Sequence, residues 1–312
     1  MIATLLYTTA GLLFLYVGAE CLVRGSAALA LRFGLTPLVV GLTVVAYGTS
    51  SPELVVSIKA SLSGNTAISL GNVIGSNICN IGLILGLCAL IRPLQVRVQS
   101  IRLEVPVMIV ASFLLYLVLL DGRLSRLEGI ALFAGMVGFT IFVMRLALKQ
   151  KAGSLAGSES LPRVGQKAWV DPILILGGLG LLIGGAHLFI QGAVGISEIL
   201  RVPEAIVALT VVAVGTSLPE LATSVVATLR HEDDISIGNI VGSNIFNILC
   251  ILGAASLIRP LHGSGLRQAD LLVMAGMALV LLPLAWSGFR LSRWEGMLLL
   301  SGYGAYLYTL FL

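Results

Sequence analysis

The chain has 312 residues, of which 57% are apolar and only 11% charged, and its mean hydropathy is +1.03. That balance leaves too little polar surface for a soluble domain of this length and requires a polytopic, all-α membrane protein. The formal net charge of +4 does not point to nucleic acid, because the basic residues are spread along the chain and lie mostly at the ends of apolar runs.

Windows of about 20 apolar residues predict ten spans, near residues 2–22, 37–60, 68–90, 103–120, 127–148, 172–196, 205–229, 235–257, 269–286 and 294–312. No basic stretch precedes the first span and no small-residue cleavage site follows it, so it reads as a retained span rather than a signal peptide. The four cysteines lie in apolar segments without CxxC spacing and read as small buried hydrophobes. Thirteen of the nineteen Lys and Arg residues follow the odd-numbered spans and six the even-numbered ones. The positive-inside rule then puts the first set in the cytoplasm and both termini outside.

The chain repeats itself at an offset of 167 residues. Leu42–Ala46 matches Leu209–Ala213, Gly48–Glu53 matches Gly215–Glu220, and Gly71–Ile78 matches Gly238–Ile245. Ile91-Arg92-Pro93-Leu94 recurs as Ile258-Arg259-Pro260-Leu261, and Arg123–Arg126 as Arg290–Arg293. Each copy holds five spans, an odd number, so the second copy enters the membrane from the opposite side. The expected organisation is therefore two inverted five-helix repeats, 1–148 and 169–312, joined by a cytoplasmic linker over 149–168 that is rich in Gly, Ser and charge.

The second and seventh spans each carry a carboxylate, Glu53 or Glu220, inside an apolar run. A charge near the bilayer centre costs roughly 2.5 kcal/mol or more and usually marks an ion or substrate pathway. Gly48, Pro52, Gly215 and Pro219 predict helix breaks at the same places, since proline removes a donor and clashes with the preceding turn. Such breaks would release carbonyls around Ala46 and Ala213, next to the hydroxyls of Thr49, Ser50, Thr216 and Ser217 and the two carboxylates. An all-oxygen set of this kind suits a hard cation such as Ca²⁺. A competing reading is structural: Ser50-x-x-Glu53 and Ser217-x-x-Glu220 both fit a capping box. In the second repeated motif, Gly71 to Asn80 and Gly238 to Asn247, Ser76 and Asn80 lie one turn apart, as do Ser243 and Asn247, so each pair shares a face that can point at the glutamates. The glycines of that motif fit close helix packing, and Asn77 and Asn244 read as partners of freed backbone.

Other charged groups read as interfacial. Glu20 is expected to pair with Arg24, and Glu104, Asp171, Asp270, Glu128 and Glu295 sit at span ends. His187, His231 and His262 form no ligand pattern, and neither HExxH nor GxSxG occurs, which argues against an enzyme.

The paired GTS-x-PE and GN-x-(I/V)-GSN segments resemble the α-repeats of the cation/Ca²⁺ exchanger superfamily, particularly prokaryotic sodium/calcium exchangers. The resemblance covers both halves. It implies a secondary antiporter in a cell membrane, a prokaryotic inner membrane given the compact size, with Ca²⁺ and Na⁺ as transported ions, no cofactor and no obligate protein partner. It implies a central Ca²⁺ site at Glu53, Glu220, Thr49 and Thr216 with carbonyls of Ala46 and Ala213, and Na⁺ sites using Ser50, Ser217, Ser76 and Ser243 together with the glutamates. Asn80 and Asn247 belong to the same central polar site. Potassium-dependent relatives carry an acidic residue at the position of Asn247, so the neutral pair here implies K⁺-independent exchange. The usual three Na⁺ per Ca²⁺ would make that exchange electrogenic, and the first and sixth spans are expected to act as a gate. A Ca²⁺/H⁺ or other divalent-cation/proton antiporter is the alternative within the class, and a passive channel the alternative outside it.

Overall fold

The computed structural model describes residues 2–155, 167–199, 215–263 and 266–310. Among these residues eleven helices follow in chain order: α1 Ile2–Phe33, α2 Pro37–Thr49, α3 Ser51–Leu62, α4 Thr66–Ile91, α5 Ser100–Asp121, α6 Arg126–Leu155, α7 Val170–Ile199, α8 Leu218–Leu229, α9 Asp233–Ile258, α10 Gln268–Trp286 and α11 Arg293–Leu310. Among the described residues seven helices are long and apolar enough to cross a membrane, and an eighth span is counted if α2 and α3 are taken together. The protein is an all-helical, multi-pass membrane protein. Most of the expected linker and the residue Ala213 lie outside the described residues.

The repeat written in the sequence is also written in the element boundaries. Helices α3 and α8, and likewise α4 and α9, begin and end at positions 167 apart. Four two-residue strands knit the halves together. Strand β1 (Leu94–Gln95) pairs antiparallel with β4 (Arg290–Leu291), and β2 (Arg123–Leu124) with β3 (Leu261–His262). Each half's first strand therefore pairs with the other half's second strand, a reciprocal exchange that a two-fold relation between the halves produces.

Helices α4 and α9 form the centre. Their most apolar windows are 72% and 83% buried, against 28% for α6 and for α7, so the latter pair presents its flanks to lipid. The most extensive helix pairing joins α1 to α7. Glycines recur along that seam at intervals of seven, Gly11, Gly18 and Gly25 on α1 and Gly178, Gly185 and Gly192 on α7. At its middle a Cβ on Gly18 would sit 2.8 Å from the Gly178 carbonyl oxygen, and one on Gly178 would sit 2.7 Å from that of Gly18. Backbone meets backbone there, and no larger residue fits. Gly184, one residue from the seam, faces open space.

Two span-end acids behave differently from the interfacial expectation. Asp171 at the start of α7 is fully buried, with its Oδ2 2.6 Å from Arg32 Nε at the end of α1. Glu104 is also fully buried, on a π-helical turn at the start of α5, and accepts a hydrogen bond from Gln99 Nε2 at 2.7 Å. In both cases a neighbouring helix covers what hydropathy alone places at the interface. Glu20 pairs with Arg24 at 2.6 Å as expected, and additionally with Arg230 just past the end of α8.

Candidate functional site

The break between α2 and α3 falls between Gly48 and Pro52, and α8 begins beside Pro219 in the same way. Helices α2 and α3 meet at an angle of 46°, with Ser50 at the joint in the bridge conformation, φ −81° and ψ 7°. Ser217 stands at the start of α8 with nearly the same geometry, φ −87° and ψ 7°. Pro52 and Pro219 lie in the first turns of α3 and α8, where a missing N–H costs nothing. That same missing donor would orphan the Gly48 carbonyl, and the Ser51 hydroxyl bonds to it instead. Glu53 and Glu220 then project from the first turns of the new helices, near the positive ends of their dipoles.

The joints do not form capping boxes. Neither Ser50 nor Ser217 caps its own helix. Each turns to the opposite half: Ser50 Oγ donates to Glu220 Oε1 at 2.8 Å, and Ser217 Oγ to Glu53 Oε1 at 3.2 Å. Ser217 Oγ is also 3.3 Å from Ser76 Oγ, and Ser243 Oγ is 3.5 Å from the Ala46 carbonyl oxygen. Ala46 keeps its backbone bond, from Ser50 N at 3.0 Å, so its carbonyl is not released but shared with Ser243 and with Thr49 Oγ1 at 3.3 Å. Thr49 also donates to Asn239 Oδ1 at 3.0 Å. Thr216, its counterpart, is half-buried.

The second motif brings π-helical turns to the same level. Asn80–Leu85 in α4 and Asn247–Leu252 in α9 are both π-helical, a geometry concentrated at functional sites. The turn carrying Asn80 packs against α8, which bears Glu220, and the turn carrying Asn247 packs against α3, which bears Glu53. Asn80 Nδ2 donates to Asn244 Oδ1 at 3.1 Å, and Asn247 Nδ2 to Asn77 Oδ1 at 2.9 Å. Asn77 Nδ2 in turn reaches the Asn244 carbonyl oxygen at 3.3 Å. The structure thus forms two groups that each cross between the halves, Ser50 with Glu220 and Ser217 with Glu53 and Ser76, and joins Asn77, Asn80, Asn244 and Asn247 into an amide quartet.

Two further residues matter that the residue patterns did not single out. Asn72 Nδ2 bonds to the Glu53 carbonyl oxygen at 3.2 Å and to Ser57 Oγ at 3.0 Å. Asn239 Nδ2 repeats this at Glu220 and Ser224, at 3.4 and 2.9 Å. They tether each glutamate-bearing turn to the central helix behind it. Their signal was the asparagine of the twinned GN motif.

The electrostatics call for a cation. Glu53 and Glu220 are both essentially buried, and their charges act on one another. No Lys, Arg or His among the described residues forms an ion pair with either one. Among the sequence-predicted site residues, five buried oxygens make no hydrogen bond to the described residues: Glu53 Oε2, Thr216 Oγ1, Glu220 Oε2, Asn80 Oδ1 and Asn247 Oδ1. A buried polar atom left unsatisfied costs about 1–3 kcal/mol, and more when charged. The two carboxylate and two amide oxygens, supplied by four helices, together with the Thr216 hydroxyl fit a hard cation of the Ca²⁺ or Na⁺ type. No cluster of three or more His, Cys, Asp or Glu occurs among the described residues, so the remaining ligands would be hydroxyls, amides and carbonyls.

The model of the sodium/calcium exchanger protein family matches this chain twice, over residues 3–145 and 170–312. The chain belongs to that family. Among its relatives, the inner membrane protein YrbG of Escherichia coli is 38% identical over 96% of this chain and 94% of that protein. The sodium/calcium exchanger MaX1 of Methanosarcina acetivorans is 31% identical, with 96% of each chain covered. Among solved structures, the sodium-calcium exchanger NCX_Mj soaked with Na⁺ and Sr²⁺ superposes with a TM-score of 0.84 at 32% identity, covering 97% of this chain and 96% of that one. Membership in the sodium/calcium exchanger family makes this chain a cation/Ca²⁺ antiporter of the multi-pass membrane class.

Proposed function

We propose that the protein exchanges Na⁺ for Ca²⁺ by alternating access, through ten spans arranged as two inverted five-helix repeats, 1–148 and 169–312, joined by the linker 149–168. The observation that carries this reading is the pair of buried glutamates on broken helices, each with one carboxylate oxygen held by the opposite half and the other without a protein partner. Two carboxylates bring a charge of −2, which one Ca²⁺ neutralises. Without an ion they repel in a poorly solvated site, so the empty protein resists occlusion and transport becomes obligatory exchange.

In this reading Glu53, Glu220, Thr49 and Thr216, with the carbonyls of Ala46 and Ala213, bind Ca²⁺. Ser50, Ser217, Ser76 and Ser243, with the same glutamates, bind Na⁺, and Asn80 and Asn247 complete the centre. The neutrality of Asn80 and Asn247 favours exchange without K⁺. The reciprocal strand pairs and the five-span count of each half support inverted repeats, and the distribution of Lys and Arg supports extracytoplasmic termini in a prokaryotic inner membrane. A proton-coupled mode is the second reading, favoured by the absence of a basic partner for either buried carboxylate.

The test is Ca²⁺ uptake into Na⁺-loaded proteoliposomes without K⁺, with wild type beside Glu53→Ala and Glu220→Ala. Uptake that needs internal Na⁺ and vanishes in both variants is the expected result. Equal uptake driven by a pH gradient would replace the coupling ion, and uptake with no counter-ion would identify a channel.

A further inference from the structure

Asn80 and Asn247 can serve a cation only through their amide oxygens, because an NH₂ group turned toward the ion would repel it. Something must therefore decide which end of each amide faces the glutamates. The deciding contacts begin beyond the two asparagines, at two methionine sulfurs and, for Asn77, also at the Asn244 carbonyl oxygen 3.3 Å from its Nδ2. Met108 Sδ lies 3.4 Å from Asn244 Nδ2, and Met274 Sδ lies 3.8 Å from Asn77 Nδ2. Both methionines are buried, at 0% and 1% exposure, so no water competes for those positions. A thioether accepts weakly and has no hydrogen to donate, so it can face only the NH₂ end of an amide. The amide oxygens of Asn244 and Asn77 are thereby turned inward, where they accept from Asn80 Nδ2 at 3.1 Å and from Asn247 Nδ2 at 2.9 Å. The donors of Asn80 and Asn247 are then engaged, and their Oδ1 atoms are the ends left buried and without a protein partner.

We propose that Asn77 and Asn244 are positioning residues that set the cation affinity of the central site, by fixing the Asn80 and Asn247 amides with their oxygens toward the ion. Each relay crosses between halves: Met274 and Asn247 lie on either side of Asn77, and Met108 and Asn80 on either side of Asn244. The ion thus senses the packing of α5 and α10, helices that contribute no ligand themselves. This inference rests on the reading of the glutamate centre as the ion site.

The experiment compares Asn77→Leu and Asn244→Leu with wild type in Na⁺-loaded proteoliposomes, and measures the Ca²⁺-induced shift in melting temperature of the purified protein in detergent. Leucine fills a similar volume and offers no acceptor. The KM for Ca²⁺ should rise about tenfold, with the maximal rate within about threefold of wild type, and the Ca²⁺-induced melting shift should shrink. An unchanged KM, or a fall in maximal rate alone, would overturn the proposal. Should either leucine variant fail to reach the membrane, the Met108→Leu, Met274→Leu double variant decides, because this swap conserves volume and removes only the acceptor. A KM raised at least twofold supports the relay, and an unchanged KM overturns it. Wild type itself lacking both Ca²⁺-driven stabilisation and Na⁺-driven uptake would remove the ion-site reading along with the relay; loss of uptake in Glu53→Ala beside unaffected leucine variants would remove the relay alone.

Discussion

Ser50 Oγ donates to Glu220 Oε1 at 2.8 Å, although the two residues stand 170 positions apart and on different halves of the repeat. The carboxylate of one half is therefore oriented by the break-point of the other. Ser50→Ala should weaken Na⁺-driven exchange by about tenfold, the scale of one hydrogen bond to a charged group, roughly 1.5 kcal/mol. The coupling should appear as non-additivity in a cycle of Ser50→Ala and Glu220→Gln, about 0.5–3 kcal/mol for residues in direct contact. Additive losses in transport rate would place Ser50 outside the Glu220 site.

Glu53→Gln and Glu220→Gln should each lower Ca²⁺ uptake at least a hundredfold, about 2.7 kcal/mol of lost stabilisation. Neither should lower the melting temperature in chelator, since each removes a buried charge that has no basic partner among the described residues. Ca²⁺ should raise the melting temperature of wild type, by about 2.7 kcal/mol of added stability at a hundred times Kd, and chelation should abolish the gain. Calorimetry with and without chelator reads both effects.

Asn247→Asp adds a third acid to the centre, which one Ca²⁺ no longer neutralises. Ca²⁺ uptake in this variant should become dependent on an accompanying K⁺ or on protonation, and so steeper with pH than in wild type. Uptake assayed across pH, with and without K⁺, checks this.

With a site charge of −2, the Ca²⁺-loaded centre is neutral and a three-Na⁺ centre carries +1. Voltage should therefore act on the sodium half-cycle, at about 2.3 kcal/mol per 100 mV for one charge. Currents in Na⁺/Na⁺ and Ca²⁺/Ca²⁺ exchange modes, compared at set potentials, test the assignment.

Glu232 in the turn between α8 and α9 has its carboxyl pushed up by burial and by the neighbouring Asp234 and Asp233, against a smaller opposing pull from Arg230. A carboxyl raised in the folded state binds its proton more tightly there than in the unfolded chain. It therefore favours folding at low pH and opposes it once pH passes the folded value. Glu232→Gln should raise the melting temperature at pH 7 and not at pH 4, with transport unchanged.

The breaks and the oxygen-rich centre were legible in the sequence because the same glycine, proline and carboxylate pattern occurs twice at one offset. The crossing of Ser50 to Glu220 was not, because local spacing cannot say which half receives a side chain. The capping-box reading failed for a physical reason. A hydroxyl facing a carboxylate makes a charge-assisted bond roughly twice as strong as a neutral one, and it leaves its own helix turn uncapped. The π-helical turns at Asn80 and Asn247 have no hydropathy signature, and the burial of Asp171 and Glu104 depends on neighbouring helices that hydropathy does not see.

The α1 and α7 seam has a mechanical meaning beyond packing. Two helices in backbone contact along their glycines, with Arg32 bonded to Asp171 at one end, make a bar stiffer than either helix alone. Leu179 on that bar lies against Gly48, and Ile190 against Gly215, so one rod touches both break-points. The two points of touch are about 16 Å apart along the rod at 1.5 Å per residue. A shift along its axis would alter both contacts in the same stroke, as a camshaft moves two valves.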